Sequence, residues 1–247
     1  FRVECLRSIL INTHLIEAAY RAGTERYFFS SSACAYNVEL QNDPDVRALK
    51  ESDAYPAMAE RGYGWEKLMS EMFCREYYAE RGMKTFIARF HNVYGPYGTW
   101  DGGREKAPAA LSRKVIEAQD TGTEKIDIWG DGTQTRSFMY IDDCTLGIDK
   151  IMHCDDLIAT PVNLGSSHLI SINDLVSMIE KIAGITLQRE YVLDAPKGVA
   201  GRNSDNTFIK QVLSWEPNTP LEEGMRKTYA WIKQQYEDRK AGKPTVS

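Results

Sequence analysis

A chain of 247 residues with 43% hydrophobic and 26% charged side chains has the make-up of one large folded domain, or one domain with an added lobe. That balance excludes collagen-like and disordered chains, and no apolar run approaches the ~18 residues of a membrane-spanning helix. A net charge of −5 argues against a dedicated nucleic-acid binder while leaving room for local cationic pockets.

Leu6 to Ala22 sets Leu6, Ile9, Leu10, Thr13, Ile16 and Tyr20 near helical period, and Gly23 closes that helix. Arg26-Tyr-Phe-Phe-Ser-Ser is a short apolar run ending in serines, the pattern of a buried parallel strand. Asn37 to Pro56 is polar and without period, so it reads as a loop. Gly62 to Arg81 predicts a long helix closed by Gly82, and Lys84-Thr-Phe-Ile-Ala-Arg-Phe the next strand. The Gly/Pro-rich loop His91 to Gly103 follows it. Ala107 to Ala118 is then helical, Ile126 to Trp129 and Ser137 to Ile141 are strands, and Asp142 to Cys154 is helical. Val162-Asn-Leu is a short strand, Ser171 caps a helix reaching Ala183, and Leu187 to Leu193 is a strand. A helix near Asn206 to Leu213 precedes the last one, from Leu221 to about Arg239. Leu221, Met225, Tyr229 and Ile232 share one face of that helix and predict that it packs on the body.

This alternation predicts an α/β fold on a doubly wound parallel sheet, with ligands at the carboxyl ends of strands. The serines after Phe29 and the His91 to Gly103 loop both lie at such ends. Cys5, Cys34, Cys74, Cys144 and Cys154 form no CxxC pair, so reduced thiols and a cytoplasmic setting are expected. His14, His91, His153 and His168 are scattered without ligand spacing, and no metal is expected.

Tyr63-Gly-Trp-Glu-Lys67 puts a phenol and an ammonium one turn apart on one helix face. A phenol of pKa ~10 becomes a usable base when a nearby cation favours its phenolate, so the pair can take a proton from a sugar hydroxyl. An ordinary surface Tyr and Lys would show the same spacing. Ser30, Ser31 and Ser32 strengthen the chemical reading, because a hydroxyl at that strand end can help hold a substrate. On residues alone, Cys34 reads as a small buried hydrophobe and Lys106 as a solvated loop residue. Trp100 and Trp129 can stack on a base or pack within loops.

Phe28-Phe-Ser-Ser-Ser-Ala-Cys-Ala-Tyr36, the Tyr63/Lys67 pair and Arg89-Phe-His-Asn-Val-Tyr-Gly-Pro96 occur in matching order and spacing in the extended short-chain dehydrogenase/reductase family. The chain resembles that NAD-dependent epimerase/dehydratase family, whose members act on nucleotide sugars. Ser31-Ser-Ala-Cys34, Phe90-His-Asn-Val-Tyr-Gly-Pro-Tyr-Gly-Thr-Trp100 and Gly102-Gly-Arg-Glu-Lys-Ala-Pro-Ala-Ala110 are similar to its GDP-mannose 3,5-epimerase branch. Trp129-Gly-Asp-Gly-Thr-Gln-Thr-Arg-Ser-Phe138 and Gly201-Arg-Asn-Ser-Asp-Asn206 extend that likeness over nearly the whole chain.

The resemblance implies a Rossmann-like sheet with a smaller C-terminal α/β substrate-binding lobe. Residues 1–95 would be the C-terminal part of the NAD-binding domain; residues 96–247 would form mainly the nucleotide-sugar lobe, returning to the sheet near 134–166. The implied activity is NAD-dependent conversion of GDP-mannose to GDP-L-galactose, by transient oxidation at C4″, inversion at C3″ and C5″, and re-reduction. Ascorbate and cell-wall sugar precursors, a cytoplasmic homodimer and no nucleic-acid or membrane partner go with it. Tyr63 would be the redox base, Lys67 would hold it and the nicotinamide ribose, and Ser32 would steady the C4″ oxygen. A C4″ ketone acidifies both neighbouring C–H bonds, and Cys34 and Lys106 would supply acid and base for the two inversions. Ser32, Ala33, Cys34, Asn92, Glu105, Lys106, Lys114, Gln134, Arg136 and Arg202 would contact the substrate. Lys114, Arg136 and Arg202 offer donors for a diphosphate, or plain surface charge. Rival readings are a UDP-sugar 4-epimerase or 4,6-dehydratase, and a truncated, non-catalytic nucleotide-sugar binder.

The family's G-x-x-G-x-x-G turn does not occur: Gly102-Gly103 and Gly130-x-Gly132 lack the strand before and the helix after that the motif requires. Asn37 to Ala59 departs from the family's pattern, with Asn37 where a proline is usual, and is expected to be peripheral. By the resemblance the chain is expected to start inside the fourth helix. The strands ahead of it, on the order of 100 residues of βα units, would carry the pyrophosphate site.

Overall fold

The computed structural model describes residues 2–195 and 198–246. Helix α1 (Arg2–Arg21) leads into β1 (Arg26–Ser32), then α2 (Tyr63–Arg81), β2 (Lys84–Phe90) and β3 (Val93–Tyr94). Next come α3 (Ala107–Thr121), β4 (Lys125–Trp129), β5 (Thr135–Ser137), β6 (Met139–Tyr140) and α4 (Ile141–Met152). The chain continues through β7 (Pro161–Leu164), β8 (Leu169–Ser171), α5 (Ile172–Ala183), β9 (Gln188–Val192), β10 (Gly201–Arg202), α6 (Thr207–Leu213) and α7 (Leu221–Lys240).

The main sheet has the order β1-β2-β7, all parallel, in a register that brings Ser32, Phe90 and Leu164 level at one edge. β2 is buried from Thr85 to Arg89, as a central parallel strand covered on both faces must be. On one face Ile16, Tyr27, Phe29, Cys74 and Ile87 join the sheet to α1 and α2. On the other, Phe86, Ala88, Cys144, Val162, Leu164 and Ile209 join it to α4 and α6. Together these make the Rossmann-like α/β arrangement that the alternation predicts.

A second core lies under α3, α5 and α7, where Leu111, Val115, Leu175, Ile179, Met225 and Ile232 pack with Ile126 and Ile128 of β4. The predicted apolar face of α7 is thus spent on the body. Beside this core, β10 and β8 flank β5, and β10 pairs with β5 so that Arg202 stands opposite Arg136.

Two expectations change. The single strand expected over Ser137 to Ile141 is divided: β5 pairs with β8 and β10, β6 pairs with β3, and the chain passes between the sheets at Phe138. Ile141 then opens α4 instead of ending a strand. The stretch from Asn37 to Ala59 is not peripheral. It folds into 3₁₀ turns that bury Tyr36, Gln41, Leu49 and Ala54, and its backbone is read by the core: Asn163 donates to the Leu49 carbonyl at 2.7 Å. Turns stitched by such long-range bonds have no period for a sequence to display.

Candidate active site

The site begins at the end of β1. Ser31 turns inward and donates to Glu71, which also takes a two-pronged bond from Arg89 at 2.9 and 2.7 Å. Ser32 faces the cleft, and its hydroxyl accepts the Cys34 N–H at 3.2 Å, capping the turn that presents the thiol. The Cys34 carbonyl accepts the Glu60 N–H at 3.0 Å. Gly64, in the first turn of α2, sits so close to that carbonyl that a Cβ would collide with it, so only glycine lets the helix approach the thiol-bearing turn.

Tyr63 opens α2 and is 39% exposed at the cleft mouth. Lys67 lies one turn on, its ammonium 5.3 Å from the Tyr63 ring centre and donating to the Ser30 carbonyl at 3.0 Å. Burial raises the Tyr63 phenol above its ordinary value, the Cys34 and Glu66 charges add to that, and the Ser32 hydrogen bond opposes it. Burial likewise lowers the Lys67 ammonium, against the pull of Glu66 and Cys34. In the bare chain, burial rather than the nearby cation therefore sets the direction at Tyr63, and both groups are pushed toward their neutral forms.

Two cavities meet here. One, of about 580 Å³, runs from Ser30 and Tyr63 to Lys106; the other, of about 680 Å³, runs from Cys34 to Trp129 and Ile172. Cys34, Glu60, Asn92, Lys106 and Arg202 line both, so the two form one cleft pinched between thiol and ammonium. Each part lies in the size range of small-molecule sites.

Lys106 is the residue before the first turn of α3, where its carbonyl takes the Ala109 and Ala110 N–H groups at 3.0 and 2.9 Å. Arg113, further along α3, holds the loop ahead of the helix by reaching Asp101 and Glu105 at 3.4 and 3.1 Å, and is itself braced by Glu117 of the same helix at 2.9 Å. Burial alone would raise the Glu105 carboxyl, but backbone N–H groups and Arg113 hold it below the usual range.

The second cavity is the cationic one. Arg136 donates to the Thr135 and Val199 carbonyls, each at 2.6 Å, and burial with the neighbouring Arg202 lowers it to about 10. Lys114 is paired with Asp127 at 2.7 Å. Gln134 donates to the Trp129 carbonyl at 2.8 Å, while its buried Oε1 finds no partner among the described residues. Trp129 is largely exposed along this wall, whereas Trp100 packs in a loop, with its indole N–H on the Val246 carbonyl at 2.5 Å.

The structure thus gathers Ser32, Ala33, Cys34, Asn92, Tyr63, Lys106 and Arg202 around one cavity and Glu105, Lys114, Gln134 and Arg136 around the other. Lys67 stands behind Tyr63. Sequence reasoning missed Gln41, which reaches Arg202 from the segment without period, and Glu60, which reaches it from the short connection ahead of α2. It also left His91 without a role. The ring is buried, bonded to Asn163 at 3.0 Å, and lowered by burial to about 3, so it is a neutral strut beneath the cleft.

The donor set fits the nicotinamide–ribose end of an NAD molecule: a phenol, a half-buried ammonium and a strand-end hydroxyl at one cavity mouth. Among the described residues no glycine-rich strand-to-helix turn stands ready for its pyrophosphate, and no group of His, Cys, Asp and Glu side chains could hold a metal ion. No described helix is long and apolar enough to cross a membrane.

The family described as NAD dependent epimerase/dehydratase matches residues 4–165. GDP-mannose 3,5-epimerase of Arabidopsis thaliana is 45% identical over 238 residues, covering 96% of this chain and 61% of the plant protein. The chain therefore spans about three-fifths of the length of that relative. Among solved structures, UDP-glucuronic acid 4-epimerase from Bacillus cereus, in complex with UDP-glucuronic acid and NAD, is 26% identical with a TM-score of 0.75, covering 92% of this chain and 67% of that one. UDP-glucose 4-epimerase of Thermotoga maritima, 24% identical with a TM-score of 0.82 over 95% of this chain and 73% of that one, shares the fold.

Proposed function

The chain belongs to the NAD dependent epimerase/dehydratase family, and from that membership we propose that it carries the catalytic and nucleotide-sugar-binding machinery of a GDP-mannose 3,5-epimerase. One observation carries the reading: a single cleft has Tyr63 at its mouth and Cys34 with Lys106 at its waist. The likeness to the plant GDP-mannose 3,5-epimerase supports the choice of substrate.

In this reading NAD, when bound, supplies the oxidant at C4″ and the reductant that restores it. Tyr63 takes the C4″ hydroxyl proton and later gives it back, Lys67 holds the phenol in place, and Ser32 steadies the C4″ oxygen. With C4″ at the ketone level, the C–H bonds at C3″ and C5″ are acidified. Cys34 and Lys106 then each take a proton from one face of the ring or deliver one to the other. Arg136 neutralises the diphosphate, Lys114 joins it by leaving Asp127, and Arg202, held by Gln41 and Glu60, meets the substrate beside Cys34. Asn92, Glu105, Gln134 and the Ala33 backbone fix the sugar and base. Within the chain, residues 1–95 carry the redox pair and residues 96–247 mainly the nucleotide-sugar lobe.

The test is product analysis by NMR in D₂O with NAD present. GDP-mannose is expected to yield GDP-L-galactose with deuterium at C3″ and C5″, and UDP-glucose to remain unchanged. Turnover of UDP-glucose would move the reading to a 4-epimerase. Saturable GDP-mannose binding without any exchange would favour a non-catalytic nucleotide-sugar binder.

A cytoplasmic setting, where the product would feed ascorbate and cell-wall sugar synthesis, accords with a cysteine set that forms no CxxC pair. We also propose a homodimer. Trp65, Met69 and Met72 form an exposed stripe on α2, and Leu6, Leu10, Ile11 and Leu15 are exposed on the adjoining α1. Two such helix pairs from two copies would make a four-helix bundle. Light scattering is expected to give twice the chain mass, and Met69→Glu with Trp65→Glu to give the monomer. A monomeric unaltered chain would end the dimer proposal.

A further inference from the structure

We propose that Glu60 is a positioning residue for the Cys34 thiol, acting through Arg202. Glu60 holds Cys34 by two routes. Its N–H donates to the Cys34 carbonyl at 3.0 Å, and its carboxylate takes Nη2 of Arg202, whose Nη1 lies 3.5 Å from the Cys34 sulfur. Gln41 takes the remaining corner of the guanidinium, Nε to Oε1 at 2.7 Å. A guanidinium is planar and rigid, so fixing two of its corners fixes the direction of the third. Here the third points at sulfur.

Charge balance gives the carboxylate its purpose. Arg202 stands opposite Arg136 across the β5–β10 pair, and Lys106 shares the same cleft. Glu60 is the carboxylate among the residues that line both cavities. Without it, repulsion from Arg136 would turn Arg202 away from the thiol, and the sulfur would lose the N–H donor that meets it as a thiolate. A plainer role would have Glu60 merely compete with the substrate diphosphate for Arg202, and the two roles predict different things.

The first readout is independent of the epimerase reading. In the full chain, Cys34 alkylation by iodoacetamide at neutral pH is followed by peptide mass mapping, with the partly exposed Cys154 as internal standard. Because the Nη1 N–H lies 3.5 Å from the reacting sulfur and is held there by Glu60, Glu60→Gln is expected to slow Cys34 about fivefold or more. Arg202→Lys, which keeps the charge and loses the fork, is expected to do the same. A Cys34 rate within about twofold of the unaltered chain in folded Glu60→Gln overturns the proposal. Should that variant lose its cooperative melt, Arg202→Lys decides by the same threshold. The second readout rests on the epimerase reading: Glu60→Gln lowers kcat about tenfold with KM unchanged. A lower KM with kcat kept would make Glu60 a competitor only, and would overturn the proposal.

Discussion

Replacing Cys34 with serine is expected to cut deuterium exchange at C3″ and C5″ of GDP-mannose by about 10²–10⁴-fold, the usual worth of a positioned acid–base group. The substitution is nearly isosteric, and the contacts that seat the turn are made by backbone atoms of residue 34: its N–H on Ser32 and its carbonyl on Glu60. The fold and the cationic cavity are therefore left intact, and GDP-mannose affinity by calorimetry is expected to stay within about twofold, since a change in kcat without a change in binding marks an interaction made only in the transition state. What changes is the proton chemistry, because a serine hydroxyl holds its proton far more tightly than a thiol. Loss of exchange at one carbon alone would assign Cys34 to that carbon. Retention of more than about a tenth of the exchange at both would remove Cys34 from the acid–base assignment.

The second large effect concerns stability. Glu71 and Arg89 are each about 2% exposed and meet through a bidentate bond directly under the cleft, with Ser31 donating to the same carboxylate. Arg89 also donates to the Glu51 carbonyl at 2.8 Å and lies 4.9 Å from the Tyr36 ring centre. Burial alone would lower the Arg89 guanidinium, yet its bonds to Glu71 hold it well above its ordinary value, so the cation persists. Glu71→Gln would strand that charge, at a cost of about 3–5 kcal/mol in urea unfolding. The double variant Glu71→Gln/Arg89→Met is expected to recover part of the loss, because no unpaired charge remains. A single-variant loss below about 1 kcal/mol would mean that water reaches the pair.

What the sequence displayed, and what it hid, follows from the range of the interactions involved. The long helices and the buried strand β2 announce themselves because their burial repeats with helical or strand period. Tyr63 and Lys67 were legible as a pair because a spacing of four sets them one turn apart on a single helix. Glu60 and Gln41 were not, since they act on Arg202 across 142 and 161 residues, from irregular chain ahead of α2. β3, β8 and β10 run to two or three residues and exist through their partners. Nor does a lysine or glutamate disclose its partner in sequence: Lys114 is met by Asp127 and Glu105 by Arg113.

Asn92 grips the chain on either side of Phe138, its side-chain amide on the Ser137 carbonyl at 3.0 Å and its own carbonyl on the Met139 N–H at 2.9 Å. Since Ser137 belongs to one sheet and Met139 to another, this one residue rivets the two layers together at the waist of the cleft. Any swing of the lobe that widened the cleft there would have to shear the rivet. The loop ahead of α3 is pinned as well: Gly102 and Gly103 hold φ values of +97° and +83°, where a side chain would strain the backbone, and Asp101 and Glu105 accept their N–H groups at 2.8 and 2.7 Å. The slot is thus braced on two sides, at Asn92 and at Arg113, and its width at the waist is built into the fold.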